Sequence, residues 1–135
     1  MPSAQGIGHI MLTVTDVQRS ADFYNRLLDG ETVMSASDEI GPLAVCVGPA
    51  LMVGFRTHLA TEDKDEFDPA RVGLDHIGIH VTSRTELEDW RQRLDEQGVP
   101  HSPIVEDQFG LHLNAKDPDN IAIEFFTTPE QAQTA

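Results

Sequence analysis

The chain has one cysteine, Cys46, which excludes an internal disulfide and any metal site built from several cysteines. Basic residues are scarce: nine Lys and Arg stand against 23 Asp and Glu, a formal charge of −14. That balance argues against nucleic acid or an anionic membrane surface as a partner. Long apolar runs are missing as well, and the opening "MPSAQGIGHIML" carries no basic segment ahead of an apolar one. Neither a membrane span nor a secretory leader is expected, so the sequence reads as a cytoplasmic protein. What remains is 135 residues with 39% apolar and 24% charged side chains, enough for one domain with a real core.

The chain repeats itself. Residues 8–27, "GHIMLTVTDVQRSADFYNRL", lie over residues 75–94, "DHIGIHVTSRTELEDWRQRL", without a gap, and seven of the twenty pairs are identical. His9/His76, Ile10/Ile77 and Val14/Val81 are among them. Further on, "LMVGFRT" at 51–57 matches "IAIEFFT" at 121–127, which makes the whole a duplication.

Each half reads as strand, helix and three strands. The first strand, 7–14, ends at Asp16, a helix N-cap, and Gly30 closes the helix that buries Ala21, Tyr24, Leu27 and Leu28. Strands follow near 31–38, 42–48 and 51–57. In the second half Ser83 and Glu86 form a capping box, Leu87, Trp90 and Leu94 make the apolar stripe, and Gly98 ends the helix. Its strands fall near 101–106, 109–115 and 121–127, the last two joined by the turn "KDPDN". Module one spans about 6–58, an acidic linker 59–72, and module two 73–128, ahead of a short polar tail. The fold class is α+β: two tandem βαβββ modules forming a cup-shaped, barrel-like mixed sheet with helices outside.

Strand alternation separates two faces. Ile10, Leu12, Val14, Ile77, Ile79 and Val81 face the helices, as do Leu51, Val53, Phe55, Ile121, Ile123 and Phe125. The penultimate strands are read with Leu43, Val45, Leu111 and Leu113 inward, leaving Ala44, Cys46, His112 and Asn114 on the second face. That face also carries His9, Met11, His76, His80, Gly54, Arg56, Glu124 and Phe126. A carboxylate such as Glu124 in an apolar strand is costly unless something pairs with it.

The motifs "GHIMLTVTDVQRSADFYNRLL", "LDHIGIHV" and "DPDNIAIEFF" resemble the vicinal oxygen chelate superfamily: glyoxalase I, extradiol dioxygenases, fosfomycin resistance enzymes and bleomycin-binding proteins. The likeness covers residues 6–128 and implies a single domain of that kind. In metal-dependent members, histidines opening the first strand of each half and carboxylates on the last strands hold the ion. Carried over, these are His9, His76 and Glu124, while the fourth position falls on Gly54, which offers no ligand. A lone histidine at a strand start is ordinarily a surface or core residue; two at equivalent repeat positions facing a glutamate favour a metal.

The resemblance therefore implies one divalent ion, Fe(II) favoured, with Mn(II), Zn(II), Ni(II) and Co(II) as alternatives. It further implies an enzyme acting on a small molecule chelated through vicinal oxygens, leaning to extradiol ring cleavage. The alternatives are glyoxalase-, isomerase- or epoxide-opening-type lyase chemistry, or a drug-sequestering protein. His80 and His112 are candidate acid–base groups. Arg56, Asn114, Met11 and Phe126 are candidate substrate contacts, although an ion-paired Arg56 and a merely lining Asn114 are the plainer readings. Cys46 is read as packing, and His58 and His101 as exposed. A homodimer is expected, by the resemblance.

Overall fold

The structure, a computed structural model, describes every residue from Met1 to Ala135. It divides into two compact units, Met1–Asp65 and Glu66–Ala135, with the boundary inside the acidic stretch between the repeats. The first unit contains β1 (Ile10–Thr13), α1 (Val17–Leu28), β2 (Glu31–Ser37), β3 (Pro42–Val47) and β4 (Met52–Arg56). The second contains β5 (Ile77–His80), α2 (Arg84–Glu96), β6 (Val105–Asp107), β7 (Gly110–Lys116) and β8 (Ala122–Phe126), then a 3-10 turn at Gln131–Gln133.

Each unit builds one four-stranded mixed sheet, ordered β1-β4-β3-β2 in the first and β5-β8-β7-β6 in the second. The first strand pairs parallel to the last, and the other pairs are antiparallel. The duplication is thus a true structural repeat. Strand pairing does not close either sheet, because β2 and β6 bond only to one neighbour; the barrel-like expectation gives way to two open sheets.

Local chemistry explains the elements. Asp16 caps α1 by accepting the Arg19 N–H, and Tyr24 packs on Phe55 with ring centroids 5.1 Å apart. The left-handed residue ending α1 is Asp29, at φ 54°, rather than Gly30. Gly30 is needed for a different reason: a Cβ there would meet Asn25 Oδ1 at 2.9 Å and the Val47 carbonyl at 3.2 Å. In α2, Ser83 accepts the Glu86 N–H, and the Glu86 carboxylate reaches back to the Thr82 N–H at 2.8 Å. Leu87 and Leu94 are fully buried, and Trp90 stacks on Phe125 at 4.6 Å. Each such buried side chain contributes about 1.5–3 kcal/mol.

Two expectations about strands need correction. The strand expected at 101–106 shrinks to β6, Val105–Asp107, preceded by an isolated bridge between His101 and Ala115. Pro100 and Pro103 interrupt the ladder, since proline donates no backbone hydrogen bond. On β3 the two faces are exchanged. Ala44 pairs with Phe55 and Cys46 with Val53, so Ala44 and Cys46 face the helix and are buried. Leu43 and Val45 stand instead opposite Arg56 and Gly54. Four residues (48–51) join β3 to β4, whereas five (117–121) join β7 to β8. One residue of difference inverts the alternation.

His101 is also not an exposed residue. Its ring donates from Nε2 to Asp95 Oδ1 at 2.6 Å and from Nδ1 to the Ser102 carbonyl at 2.7 Å. Two acceptors require both nitrogens protonated, and the Asp95 carboxylate, then the Ser102 carbonyl, raise the imidazole pKa above its usual value. The sign follows: a raised folded pKa gives stability that is complete below about pH 6.5 and lost as pH rises through the folded value. The melting-temperature gap between wild type and His101→Ala is therefore expected to shrink between pH 6 and pH 9. A gap that stayed constant across that range would remove the charged clamp.

Candidate metal centre

The open face of the second sheet is defined by its register. Gly78 of β5, Glu124 of β8 and Asn114 of β7 form one row, and His80, Phe126 and His112 form the next. His76 stands immediately before β5 on the same alternation, and its Nε2 lies 3.9 Å from Glu124 Oε1. The Glu124 side chain is 24% exposed, while Ile123 and Phe125 on either side are fully buried among the helix-facing residues. Glu124 thus points out of the core and escapes the cost of full desolvation.

His76 is held by Asp75. Its Nδ1–H donates to Asp75 Oδ1 at 2.7 Å, which leaves the Nε2 lone pair directed to the side where Glu124 lies. A histidine whose far nitrogen is fixed by a carboxylate is the usual arrangement of an imidazole metal ligand. Asp75 was not among the residues singled out from sequence. The repeat gave no signal for it, because Asp75 stands over Gly8. As a donor set, one imidazole nitrogen and one carboxylate within 4 Å suit a divalent cation. No three His, Cys, Asp or Glu side chains cluster for metal binding; His76 and Glu124 are a pair.

His80 and His112 flank Phe126 from opposite strands, and they are engaged differently. His80 stacks on Phe126, with centroids 5.3 Å apart, and its Nε2 meets Gln131 Oε1 at 2.7 Å. The same Gln131 oxygen accepts the Thr128 N–H, which identifies it as the carbonyl end of the amide. His80 Nε2 therefore carries the proton and Nδ1 keeps a lone pair. His112 donates from Nε2 to Asp107 Oδ2 at 2.9 Å, and its Nδ1 is buried without a partner. The Phe109 N–H, then His112, hold the Asp107 carboxyl below its usual pKa.

In the first unit, His9 is exposed at the head of β1, on the alternation of Met11. Met11 pairs across the ladder with Gly54, and a Cβ at position 54 would collide with Met11 Sδ. The repeat-equivalent of Glu124 is thus covered by a thioether. Arg56 is ion-paired: its Nη1 and Nη2 donate to the two Asp38 oxygens at 2.7 and 3.1 Å. That fork, followed by the Ile40 N–H, holds the Asp38 carboxyl at a pKa of about 2.

The family model described as Glyoxalase/Bleomycin resistance protein/Dioxygenase superfamily matches residues 6–125. The trivalent organoarsenical cleaving enzyme of Bacillus sp. (strain MD1) is 31% identical, over 93% of this chain and 77% of that protein. A glyoxylase/bleomycin resistance protein/dioxygenase domain from Frankia sp. EAN1pec is 34% identical with a TM-score of 0.84, over 93% of both chains. The fosfomycin resistance protein FosX of Listeria monocytogenes, solved with Mn(II) and a dihydroxypropylphosphonic acid, shares the fold at 20% identity. It has a TM-score of 0.71 over 96% of each chain.

Proposed function

The chain belongs to the Glyoxalase/Bleomycin resistance protein/Dioxygenase superfamily, and from that premise we propose a metal-dependent enzyme acting on a small molecule through two adjacent oxygens. The observation that carries the reading is the His76–Glu124 pair, 3.9 Å apart, with the far His76 nitrogen fixed by Asp75. His9, the repeat-equivalent of His76, is the proposed third ligand. Two imidazoles and one carboxylate form a three-ligand donor set suited to Fe(II), with Mn(II), Zn(II), Ni(II) or Co(II) as alternatives. Such an ion would supply charge stabilisation to a chelated diolate and, as Fe(II), a path for electrons to dioxygen.

The chain's own groups have separate tasks. Gly78 leaves room for the Phe126 ring, which a Cβ there would meet at 3.2 Å, and Asn114 beside Glu124 offers an amide to a substrate oxygen. His80, with its lone pair at Nδ1, is the better placed of the two histidines to take a proton from a diol. His112 would have to turn, because its nitrogens are given to Asp107 and to the interior. Phe126 forms the wall between them.

Ring-cleavage chemistry on a vicinal diol is our preferred subtype, and cleavage of a trivalent organoarsenical is the second. The 31% identical Bacillus enzyme favours the latter. Trivalent arsenic is soft and prefers thiolate donors. This chain has only Cys46, which is 2% exposed and sits against Thr32 Oγ1. We further propose that the working form is a homodimer, for which exposed Ile7, Val33 and Phe109 supply apolar surface.

Metal uptake is the first test. Protein purified without chelator and offered Fe(II), Mn(II) and Zn(II) in turn should bind one of them near stoichiometrically; uptake of none ends the reading. Oxygen consumption by the Fe(II) form with a panel of catechols then separates ring cleavage from non-redox chemistry. Asp75→Ala is expected to weaken metal affinity about 10–100-fold in a chelator competition, as loss of a ligand-orienting carboxylate does. An unchanged affinity would leave Asp75 without that role.

A further inference from the structure

We infer that Gln131, in the turn after β8, is a positioning residue that holds His80 with its proton on Nε2 and its Nδ1 lone pair free for substrate. The inference rests on the reading of His80 as a base given above, and adds the group that keeps it one. The turn begins at "TPEQ", residues 128–131, within what the sequence presents as a polar tail. Thr128 and Gln131 bond each other in the manner of a capping box. The Thr128 N–H donates to Gln131 Oε1 at 2.9 Å, and the Gln131 N–H donates to Thr128 Oγ1 at 3.2 Å. An amide whose oxygen is tied to a backbone N–H cannot turn over to present its nitrogen. His80 Nε2, 2.7 Å from that oxygen, is therefore obliged to be the donor.

The turn is itself anchored. Ala132 is buried, and the Arg84 N–H and guanidinium donate to the Thr134 and Ala132 carbonyls at 3.3 Å each. Phe126, stacked on His80 with 28° between the planes, sets the plane of the imidazole, and Gln131 sets which edge carries the proton. Glu86, whose carboxylate interacts electrostatically with His80, is occupied by the Thr82 N–H and hydroxyl at 2.8 Å each. The first unit shows the same turn without the histidine. By the repeat, Thr13 stands for His80 and Thr61 for Gln131. There the His58 N–H donates to Thr61 Oγ1 at 3.2 Å, the counterpart of the Thr128–Gln131 bond. A short hydroxyl thus suffices to close the turn. The longer amide occurs in the half that has an imidazole to reach, so its length serves His80.

The test is imidazole nitrogen NMR of the metal-free protein at about pH 9, where an ordinary histidine is neutral. Wild type should show His80 with its proton on Nε2. Gln131→Met, which keeps the length of the side chain and loses the acceptor, should raise the share of the Nδ1–H form about three- to tenfold, the weight of one hydrogen bond. Gln131→Glu, which returns an oxygen to both donors, should restore Nε2–H. Gln133→Ala, elsewhere in the same turn, should leave the His80 spectrum as it is. In the oxygen-uptake assay of the Fe(II) form with catechols, Gln131→Met should lower kcat about tenfold with little change in KM.

The same His80 spectrum in wild type and Gln131→Met overturns the proposal. So does an altered spectrum that Gln131→Glu fails to restore. If Gln133→Ala moves His80 as far as Gln131→Met does, the turn and not the amide is responsible, and the proposal fails. An unchanged kcat beside an altered spectrum removes the base and with it the positioning role. Absence of metal uptake or of oxygen consumption by wild type is a separate failure, of the metal-dependent reading. The spectra need neither and still decide what Gln131 does.

Discussion

Glu124→Ala is expected to lower affinity for Fe(II), Mn(II) and Zn(II) by about a hundredfold or more while leaving the second unit folded. The size follows from removing the charged donor of a three-ligand set, since even orienting residues around such ligands are worth about 10–100-fold. The harmlessness to the fold follows from position. Glu124 projects from the open face of β8 between Gly78 and Asn114, and its side chain is 24% exposed, so alanine leaves no cavity behind. His76 keeps its bond to Asp75 in the variant, and the imidazole stays poised without its carboxylate neighbour. Competition with a chromophoric chelator reads the affinity, and circular dichroism reads the fold. Glu124→Gln, which keeps one oxygen and loses the charge, should fall between the two. Wild-type affinity in Glu124→Ala would end the assignment of this residue as a ligand.

How much of this was legible beforehand depends on the range of the interaction involved. The duplication, the two capped helices and the alternation on β1, β4, β5, β7 and β8 follow from short-range periodicity, and they stand. So does the fact that Glu124 and His76 share a face, because both are counted from strands in direct register. β3 went the other way, since its alternation was carried back across a turn one residue shorter than that of the second repeat. The helix stop at Asp29 was hidden because aspartate can adopt the left-handed conformation that glycine adopts more cheaply.

The polar partners were illegible for a different reason. Asp38 and Arg56 are 18 residues apart, and His80 and Gln131 are 51 apart. No periodicity relates them; they meet through tertiary structure. Position made Arg56 a candidate substrate contact with an ion pair as the plainer reading; the fold supplies the pair, and only the identity of its partner, Asp38, went unannounced in the pattern. The acidic composition offered many such carboxylates, and the structure selects one.

Adjacent residues on β8 give the second large expected effect. Phe125→Ala should destabilise the second unit by about 3–5 kcal/mol, the usual cost of truncating a buried phenylalanine. Phe125 is fully buried, lies between Ile79 and Leu113 in the ladder, and stacks on Trp90 at 4.6 Å, so its removal opens a cavity where α2 meets the sheet. Phe126→Ala should cost far less, about 1 kcal/mol or under, because Phe126 stands on the open face and touches the His80 ring rather than the core. Its effect should appear instead in the His80 resonances, which lose the stacked ring. Denaturant melts of the two variants, with imidazole NMR of the second, measure both. Similar losses of stability in the two would contradict the assignment of opposite faces, and with it the direction in which Glu124 points. A large loss in Phe125→Ala beside a small one in Phe126→Ala places the division between core and site at the alternation of one strand, with the carboxylate on the side that the helix leaves open.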